Sequence, residues 1–388
     1  MNVHSLKGIM MSRYLMLFSL SVSMLIHGKL KTIGALAGIL FAILLAGQQL
    51  AALGGATYQA ELFQAKANPD LWILPQGVKL LGEGRPLPET IRPRLLAIDD
   101  VKSVEPVVVG ASEVLGKNGK RESVTVVGIE RDAEGLGPWN LVSGEREALH
   151  LPHAVIVEDS FRERTGSTNV GSIREIGGHE VRVVGTTWGM LTWLPQFAWT
   201  NPQTARLILG MPERDVSFFV VRLNNPEMAA EVQQKLQRML PEVEVLTHKE
   251  YSARVHHYVL VDAGAGAILL VSAVVGLFVG LVIVSLMMYT SVNDSIREYG
   301  AMKAIGAGNG DLAILVMMQG LILGIVGSFI GGAVISWIPT MMRAPNVIML
   351  MDLGTVVQLC LLMIVICIVA SFASVLRLRK LEPAMIFR

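Results

Sequence analysis

Residues able to do chemistry are sparse in this chain, and most arrangements that would make them a catalytic site are missing. The string nearest to a phosphate-binding loop, Gly116-Lys117-Asn118-Gly119-Lys120, has the wrong spacing, so ATP hydrolysis by the usual route is not expected here. There is no H-E-x-x-H, no paired-cysteine motif and no G-x-S-x-G. His256-His257 is the one adjacent histidine pair. Neighbours on a helix point about 100° apart, which suits two partly exposed histidines better than two metal ligands. Cys360 and Cys367 lie seven residues apart in one apolar stretch, about 10 Å along a helix. That is too far for a disulfide, and they read as small packing residues. The run Trp188–Trp199 (WGMLTWLPQFAW) holds Trp188, Trp193 and Trp199. It is a candidate surface for a partner or an amphipathic substrate, although domain core is the commoner role of such residues.

The elements that must position these residues follow from hydropathy. A mean hydropathy of +0.51 with 17% charged residues is too apolar for an ordinary soluble protein. A net charge of +1 argues against a nucleic-acid binder. Four windows reach the roughly 20 apolar residues needed to span a bilayer, at 32–53, 263–289, 312–338 and 356–376. The first is too long, too late and too poor in a cleavage site for a signal peptide, and reads as a retained anchor. No Asp, Glu, Lys or Arg lies well inside a window, which disfavours a transporter driven by protons or sodium. Energy, if used, has to come from a partner.

Lys7, Arg13, Lys29 and Lys31 precede the first window without an acidic residue, and Arg377, Arg379, Lys380 and Arg388 follow the last. Both ends are therefore expected in the cytoplasm. The segment 1–31 reads as a cytoplasmic amphipathic helix on the leaflet surface, with partial insertion of residues 14–27 as the alternative. Segment 290–311 is then a cytoplasmic loop, 339–355 a short outer loop and 377–388 a cytoplasmic tail. G-x-x-x-G pairs at Gly34/Gly38, Gly276/Gly280, Gly320/Gly324 and Gly327/Gly331 predict close helix packing, in a bundle or a dimer.

Residues 54–262 carry 22 of the 33 basic and 27 of the 32 acidic residues, so this segment is a water-soluble domain between the first two spans. Its pattern is mixed α/β. Strands are expected at Asp70–Leu74, Val101–Glu105, Ala154–Val157, Val216–Leu223 and Val243–Leu246, with helices at Glu89–Ile98, Asp159–Thr165 and Glu227–Leu240. Pro106–Val114 and Ser123–Glu130 turn at Asn118-Gly119, and Ile173–Ile176 and Glu180–Thr187 turn at Gly177-Gly178. The predicted domain is two-lobed, its middle (about 106–210) inserted into a βαβ-like base. Gln48–Lys66 and Thr247–Asp262 are expected to be helices at its two ends, either a stiff stalk or ordinary connectors.

The loop SVNDSIREYGAMKAIGAGNGD (291–311) is the most specific segment. Arg297, Glu298 and Lys303 are its polar points. Tyr299, Met302 and Ile305 fall at helical spacing, and Gly306 and Gly308 end the pattern, which describes a short amphipathic helix able to dock on a partner. Arg297-Glu298-Tyr299-Gly300-x-x-Lys303-Ala304-Ile305-Gly306-Ala307 resembles the R-E-I-G-x-x-[KR]-A-[IL]-G-A segment of FtsX-like permeases, the membrane subunits of MacB/LolC/DevC-type ABC exporters. Tyr299 replaces the usual Ile and keeps the face apolar. Leu381-Glu382-Pro383-Ala384 resembles the family's terminal segment, with Met385 where an acid is usual. Asp70-Leu71-Trp72 and Pro138-Trp139-Asn140-Leu141 are similar to the DevC-like branch in particular.

The resemblance implies an α-helical membrane protein with four spans and a MacB-type periplasmic core domain between helices 1 and 2. It implies a non-catalytic permease subunit, as a homodimer or with a related permease, bound to two copies of a separate ABC ATPase that holds ATP and magnesium. Residues 297–307 would be the coupling helix, and ATP-driven motion would pass to the stalk and outer domain by mechanotransmission, exporting an amphipathic or lipid-like substrate. A periplasmic adaptor and an outer-membrane duct are expected in the DevC-like branch. Two alternatives stand beside this reading: an FtsX-like regulator of cell-wall hydrolases, for which the outer domain is large, and a membrane-anchored sensor or scaffold without transport.

Overall fold

The computed structural model describes residues 3–117, 119–166, 168–190, 195–341 and 349–378. Trp193, Asn118 of the expected turn and the 381–385 tail motif lie outside them. The chain opens with α1 (Val3–His27) and α2 (Lys29–Ala67), parted by a turn at Gly28. Next come β1 (Leu71–Pro75), β2 (Leu87–Pro88), α3 (Ile91–Leu96), β3 (Val101–Leu115) and β4 (Arg121–Ile129). β5 (Leu141–Gly144), β6 (Ala154–Glu158), α4 (Arg162–Thr165), β7 (Ile173–Ile176), β8 (His179–Thr187) and β9 (Phe197–Thr200) follow. After them lie α5 (Pro202–Leu209), β10 (Asp215–Val216), β11 (Phe218–Leu223), α6 (Ala229–Met239), β12 (Val243–Thr247) and α7 (His248–His257). The last helices are α8 (Ala265–Asp294), α9 (Ile296–Ala304), α10 (Asn309–Met341) and α11 (Leu353–Leu378).

Two compact units divide the chain, a helical one and a sheet domain centred on residues 55–266. In the helical unit, α2, α8, α10 and α11 are long and apolar enough to cross a membrane. The helices run past the apolar windows into polar residues, because backbone hydrogen bonding continues where hydrocarbon ends. The glycine pairs meet partners within this same chain. A Cβ on Gly280 would overlap that of Ala42, and one on Gly38 would run into Ile283, so α2 and α8 touch almost backbone to backbone. Gly34 and Gly276 extend that contact to Met287 and Leu45. Gly320 and Gly324 seat α10 against Ser371 and Cys367 of α11, while Gly327 and Gly331 receive Ile39 and Ile43 of α2. Lipid supplies no hydrophobic drive between helices, so such close approach replaces it with dispersion. Cys360 joins the same packing: its thiol donates to Ser328 O at 3.3 Å, and Ser328 Oγ donates back to Cys360 O at 3.2 Å.

α1 packs on α10 in this unit. The buried Ser21 hydroxyl lies 3.2 Å from Leu315 O, and Leu17, Leu20, Met24 and Leu25 join the bundle core. Its outward residues include Leu15, Met16, Phe18 and Ile26, with Ser19, Ser23 and His27 between them. Ser19, Ser23 and His27 fall four residues apart and so make one narrow polar strip between apolar neighbours.

In the sheet domain one ten-stranded sheet runs β12-β1-β11-β3-β4-β9-β6-β8-β5, with β7 set between β3 and β8. The base and the middle of the domain share it because β3 is long. Its first half pairs with β11 and its second half with β4. Pro106 does not break the strand, since β4 pairing begins only at Val107 and the missing N–H removes no rung. Alternate residues face two covers. Trp72, Leu74, Phe218 and Val220 point to a core shared with α2 and α7, while Leu71, Ile73, Phe219 and Val221 point to one closed by α3, α5 and α6.

Phe63 of α2, only 2% exposed, holds the first of these cores together. Five rings surround it at centroid distances of 5.4–6.4 Å: Trp72, Trp139, Phe197, Trp199 and Phe218. Arg222 fastens the end of the same helix. Its guanidinium donates to Ala67 O at 2.7 Å, Asn68 O at 3.3 Å and Glu134 O at 3.1 Å, satisfying carbonyls that a helix terminus leaves free. α7 begins with a capping box, Thr247 and Glu250, and its His256 Nδ1 lies 3.0 Å from Glu61 Oε1 of α2. Beyond α7 the helix loosens into a π turn at Tyr258–Asp262 and breaks at Gly264, where φ is +70°. The helix is thus unbroken through α2 and interrupted after α7.

Phe63→Ala should cost about 3–5 kcal/mol, the usual penalty for emptying a buried aromatic site, read as an earlier thermal unfolding of the sheet domain by near-UV circular dichroism. A second expectation concerns acid. Hydrogen bonds from Arg254, at 2.5 and 2.7 Å, hold the Glu244 carboxyl below its ordinary value of 4.5. The stabilisation is complete above that value and is lost as pH falls through the lowered one. With the pair partly exposed it is worth about 0.5–1 kcal/mol after solvent screening. Glu244→Gln should therefore lower stability at pH 7 and flatten the acid limb of a melting curve taken from pH 7 to pH 3.

Candidate functional site

The candidate docking site is built from α9 and the turn that follows. Only Ser295 separates the end of α8 from the start of α9, and Glu298 in its first turn complements the helix N-terminus. Tyr299 (1% exposed) and Gly300 face inward. The Tyr299 ring shares a core with Val292, Leu312, Leu315 and Val316, and its hydroxyl lies 3.5 Å from Gln319 Oε1 on α10. Burial pushes that phenol up to about 12. Gln319 Nε2 in turn lies 3.5 Å from Met24 Sδ of α1. α9 is therefore a short helix nailed to the long α10 by one aromatic side chain.

Its other side is open. Arg297, Glu298, Ala301, Ala304 and Ile305 are exposed, Ile305 at 89%. Spacings of three and four put them on one side, a small apolar centre flanked by one cation and one anion. Met302 packs inward beside Tyr299, and Lys303 is half-buried. The structure thus corrects the expected single face of Tyr299, Met302 and Ile305. Ile305 sits at the C-cap, one residue past the last helical turn, and swings outward. Gly306 follows at φ +111°, a conformation open to glycine, and the Gly308 amide donates to Asp311 Oδ2 at 3.1 Å to start α10. That turn fixes where Ile305 points.

A second surface lies at the far end of the sheet. Trp188 is 57% exposed, whereas Trp199 is fully buried against Phe63, Trp139 and Phe197. The aromatic run therefore divides between surface and core. Glu158, 1% exposed, anchors the Trp188 loop: its carboxylate accepts from Thr187 Oγ1 at 2.7 Å and from Gly189 N at 2.8 Å. Asn140 O accepts from Trp188 N at 3.2 Å. Neither anchor is legible as such in sequence, since each acts across the sheet. Among the described residues no group of three His, Cys, Asp or Glu is arranged to hold a metal ion.

A model of the MacB-like periplasmic core domain matches residues 32–239, over half of the chain, and one of the FtsX-like permease C-terminal region matches 270–383. The chain belongs to the MacB-like periplasmic core domain family. No curated protein sequence matches it. Among solved structures, the extracellular domain of the noncanonic ABC-type transporter YknZ from Gram-positive bacteria is 16% identical, covering 46% of this chain and 99% of that one, with a TM-score of 0.36. The periplasmic region of MacB from Actinobacillus actinomycetemcomitans is 13% identical, covering 46% and 88%, with a TM-score of 0.35. The family matches, rather than these likenesses, carry the assignment. This MacB-like chain is thus a membrane protein of ABC-permease type with an extracytoplasmic α/β domain between its first two spans. Its FtsX-like region contains all of α9. The DevC-like branch is not distinguished by either match.

The seat of α9 makes a simple prediction. Tyr299→Phe should behave as the parent, because the 3.5 Å hydroxyl contact is long. Tyr299→Ala should cost about 3 kcal/mol and free the helix. Limited trypsin digestion of the full chain should then cut at Arg297 in the alanine variant and spare it in the phenylalanine one.

Proposed function

We propose that this chain is the membrane subunit of an ABC-type exporter, with ATP hydrolysed by a separate ATPase that docks on α9. The observation that carries the reading is the open face of α9, where Ala301, Ala304 and the 89% exposed Ile305 lie between Arg297 and Glu298. A small apolar centre with a charged rim suits a groove on a soluble protein. Membership of the MacB-like family supports the same assignment. In this proposal two permease copies, most simply a homodimer, bind two ATPase subunits, and ATP and magnesium belong to the ATPase. The α9 loop and both chain ends lie in the cytoplasm of a bacterial inner membrane, and the sheet domain lies outside.

Coupling would run by mechanotransmission. Nucleotide-driven closure displaces α9, and the displacement reaches α10 through Tyr299 and the outer domain through the unbroken α2. The absence of charge well inside the spans agrees with motion rather than an ion path. The cargo is an amphipathic or lipid-like molecule handed on at the outer domain, with a periplasmic adaptor and outer-membrane duct as further partners in the DevC-like case. Trp188, held out by Glu158 and Asn140, is the residue offered there for contact.

Co-purification from the native membrane tests the reading. The intact chain should carry an ATPase identifiable by mass spectrometry. Ile305→Asp should weaken that association about thirtyfold, the loss of about 2 kcal/mol expected at the centre of an interface. Glu298→Lys at the rim should weaken it less. An intact chain that brings no ATPase through mild extraction would sink the exporter assignment and favour a sensor or scaffold.

A further inference from the structure

The helical unit carries an apolar groove that the docking face of α9 does not use. It lies where α1, α2 and α10 meet and encloses about 370 Å³. Leu25 and Ile26 of α1, Ile33 and Leu36 of α2, and Ile322 and Val326 of α10 line it. Its hydroxyl, that of Thr32, donates to Leu25 O at 2.7 Å and so is occupied within the protein. Ile26 and Ile33 at the rim are 58% and 62% exposed. In a membrane protein such a recess among spanning helices is filled by hydrocarbon, since leaving it empty forfeits dispersion contacts on every wall.

The rim is charged as well. Lys29 lines the groove and is exposed, and it has no carboxylate partner among the described residues. Two residues on, Lys31 is paired with Asp294 at 2.6 Å. One lysine is therefore neutralised by the protein while its neighbour is left for something else. The sequence from Met1 to Leu53 contains no acidic residue, and the one carboxylate placed nearby, Asp294, is paired with Lys31. Basic recesses between spanning helices favour anionic headgroups, each lysine near the surface contributing about a fivefold preference.

We propose that this groove is a binding site for one anionic phospholipid, an acyl chain lying between α1, α2 and α10 and the phosphate resting on Lys29. The lipid wedges α1 onto the bundle. It would bridge the end of α1 to α2 and α10, whose side chains form the other walls of the recess. The site is independent of whether an ATPase docks on α9.

Native mass spectrometry of the full chain tests it. The protein is stripped with detergent, placed in nanodiscs of equal phosphatidylglycerol and phosphatidylcholine, and released to count retained lipids. The parent should keep phosphatidylglycerol over phosphatidylcholine about fivefold. Lys29→Gln should bring the two to parity, and Lys29→Arg should keep the preference. Ile33→Trp, filling the groove from an exposed position, should reduce retention of both lipids with no change in thermal unfolding. Equal retention of the two lipids by the parent, or a preference unchanged in Lys29→Gln, would overturn the proposal. So would an Ile33→Trp variant that retains lipid as before but converts a dimer to a monomer, because the groove would then be an interface between copies.

Discussion

The contact on which the sheet domain depends is that of Phe63 with the five rings around it. The five belong to β1, the 131–140 loop, β9 and β11, so a single side chain ties α2 to strands far apart in sequence. Aromatic pairs in tilted and edge-on arrangements add to the area they bury, about 0.5–1.5 kcal/mol each. No disulfide helps, because the domain contains no cysteine. The stability of this domain therefore rests on packing, and Arg222 completes the junction by satisfying the carbonyls with which α2 ends.

The helical unit solves the opposite problem. Its outer surface faces hydrocarbon, so burying apolar area yields little and contact distance decides. Gly38 and Gly280 let α2 and α8 meet closely, and Gly320 and Gly324 do the same for α10 and α11. These glycines are fully occupied inside the chain. A second copy that docked through them would have to displace Ala42, Ile283 or Ser371. A dimer, where one forms, has to use other surfaces.

Much of this was legible in sequence because length and periodicity are local signals. The four spans followed from apolar run length, and the β7–β8 hairpin from its Gly177-Gly178 turn. What escaped was non-local. β9 and α5 were hidden because nothing in the aromatic run, whose commoner reading is core, marks a strand until β4 and β6 are placed on either side of β9. Glu158 looks like any strand-end carboxylate until Thr187 and Gly189 are brought to it by β8. In α9, helical spacing put Ile305 with Tyr299. The helix ends one residue too soon for that, and the glycine turn sends the side chain outward. A heptad-like pattern is reliable only while the helix lasts.

The two links between the spans and the sheet domain differ in kind. α2 is a single helix of 39 residues, about 58 Å long at 1.5 Å per residue, with no proline or left-handed residue to bend it. The other link passes through a π turn and a left-handed Gly264 within seven residues. A π turn misaligns the hydrogen-bond ladder, and a left-handed glycine ends it, so this link bends at lower cost than a continuous helix. Lys79 bears on the same place: its ammonium meets Asp262 at 2.7 Å and lies 5.7 Å from the centre of the Tyr258 ring. Both contacts are exposed and individually weak. They restrain the turn without locking it. One segment is therefore a continuous helix and the other an interrupted one, an asymmetry that follows from where glycine and the π turn fall and from nothing in the amino-acid composition.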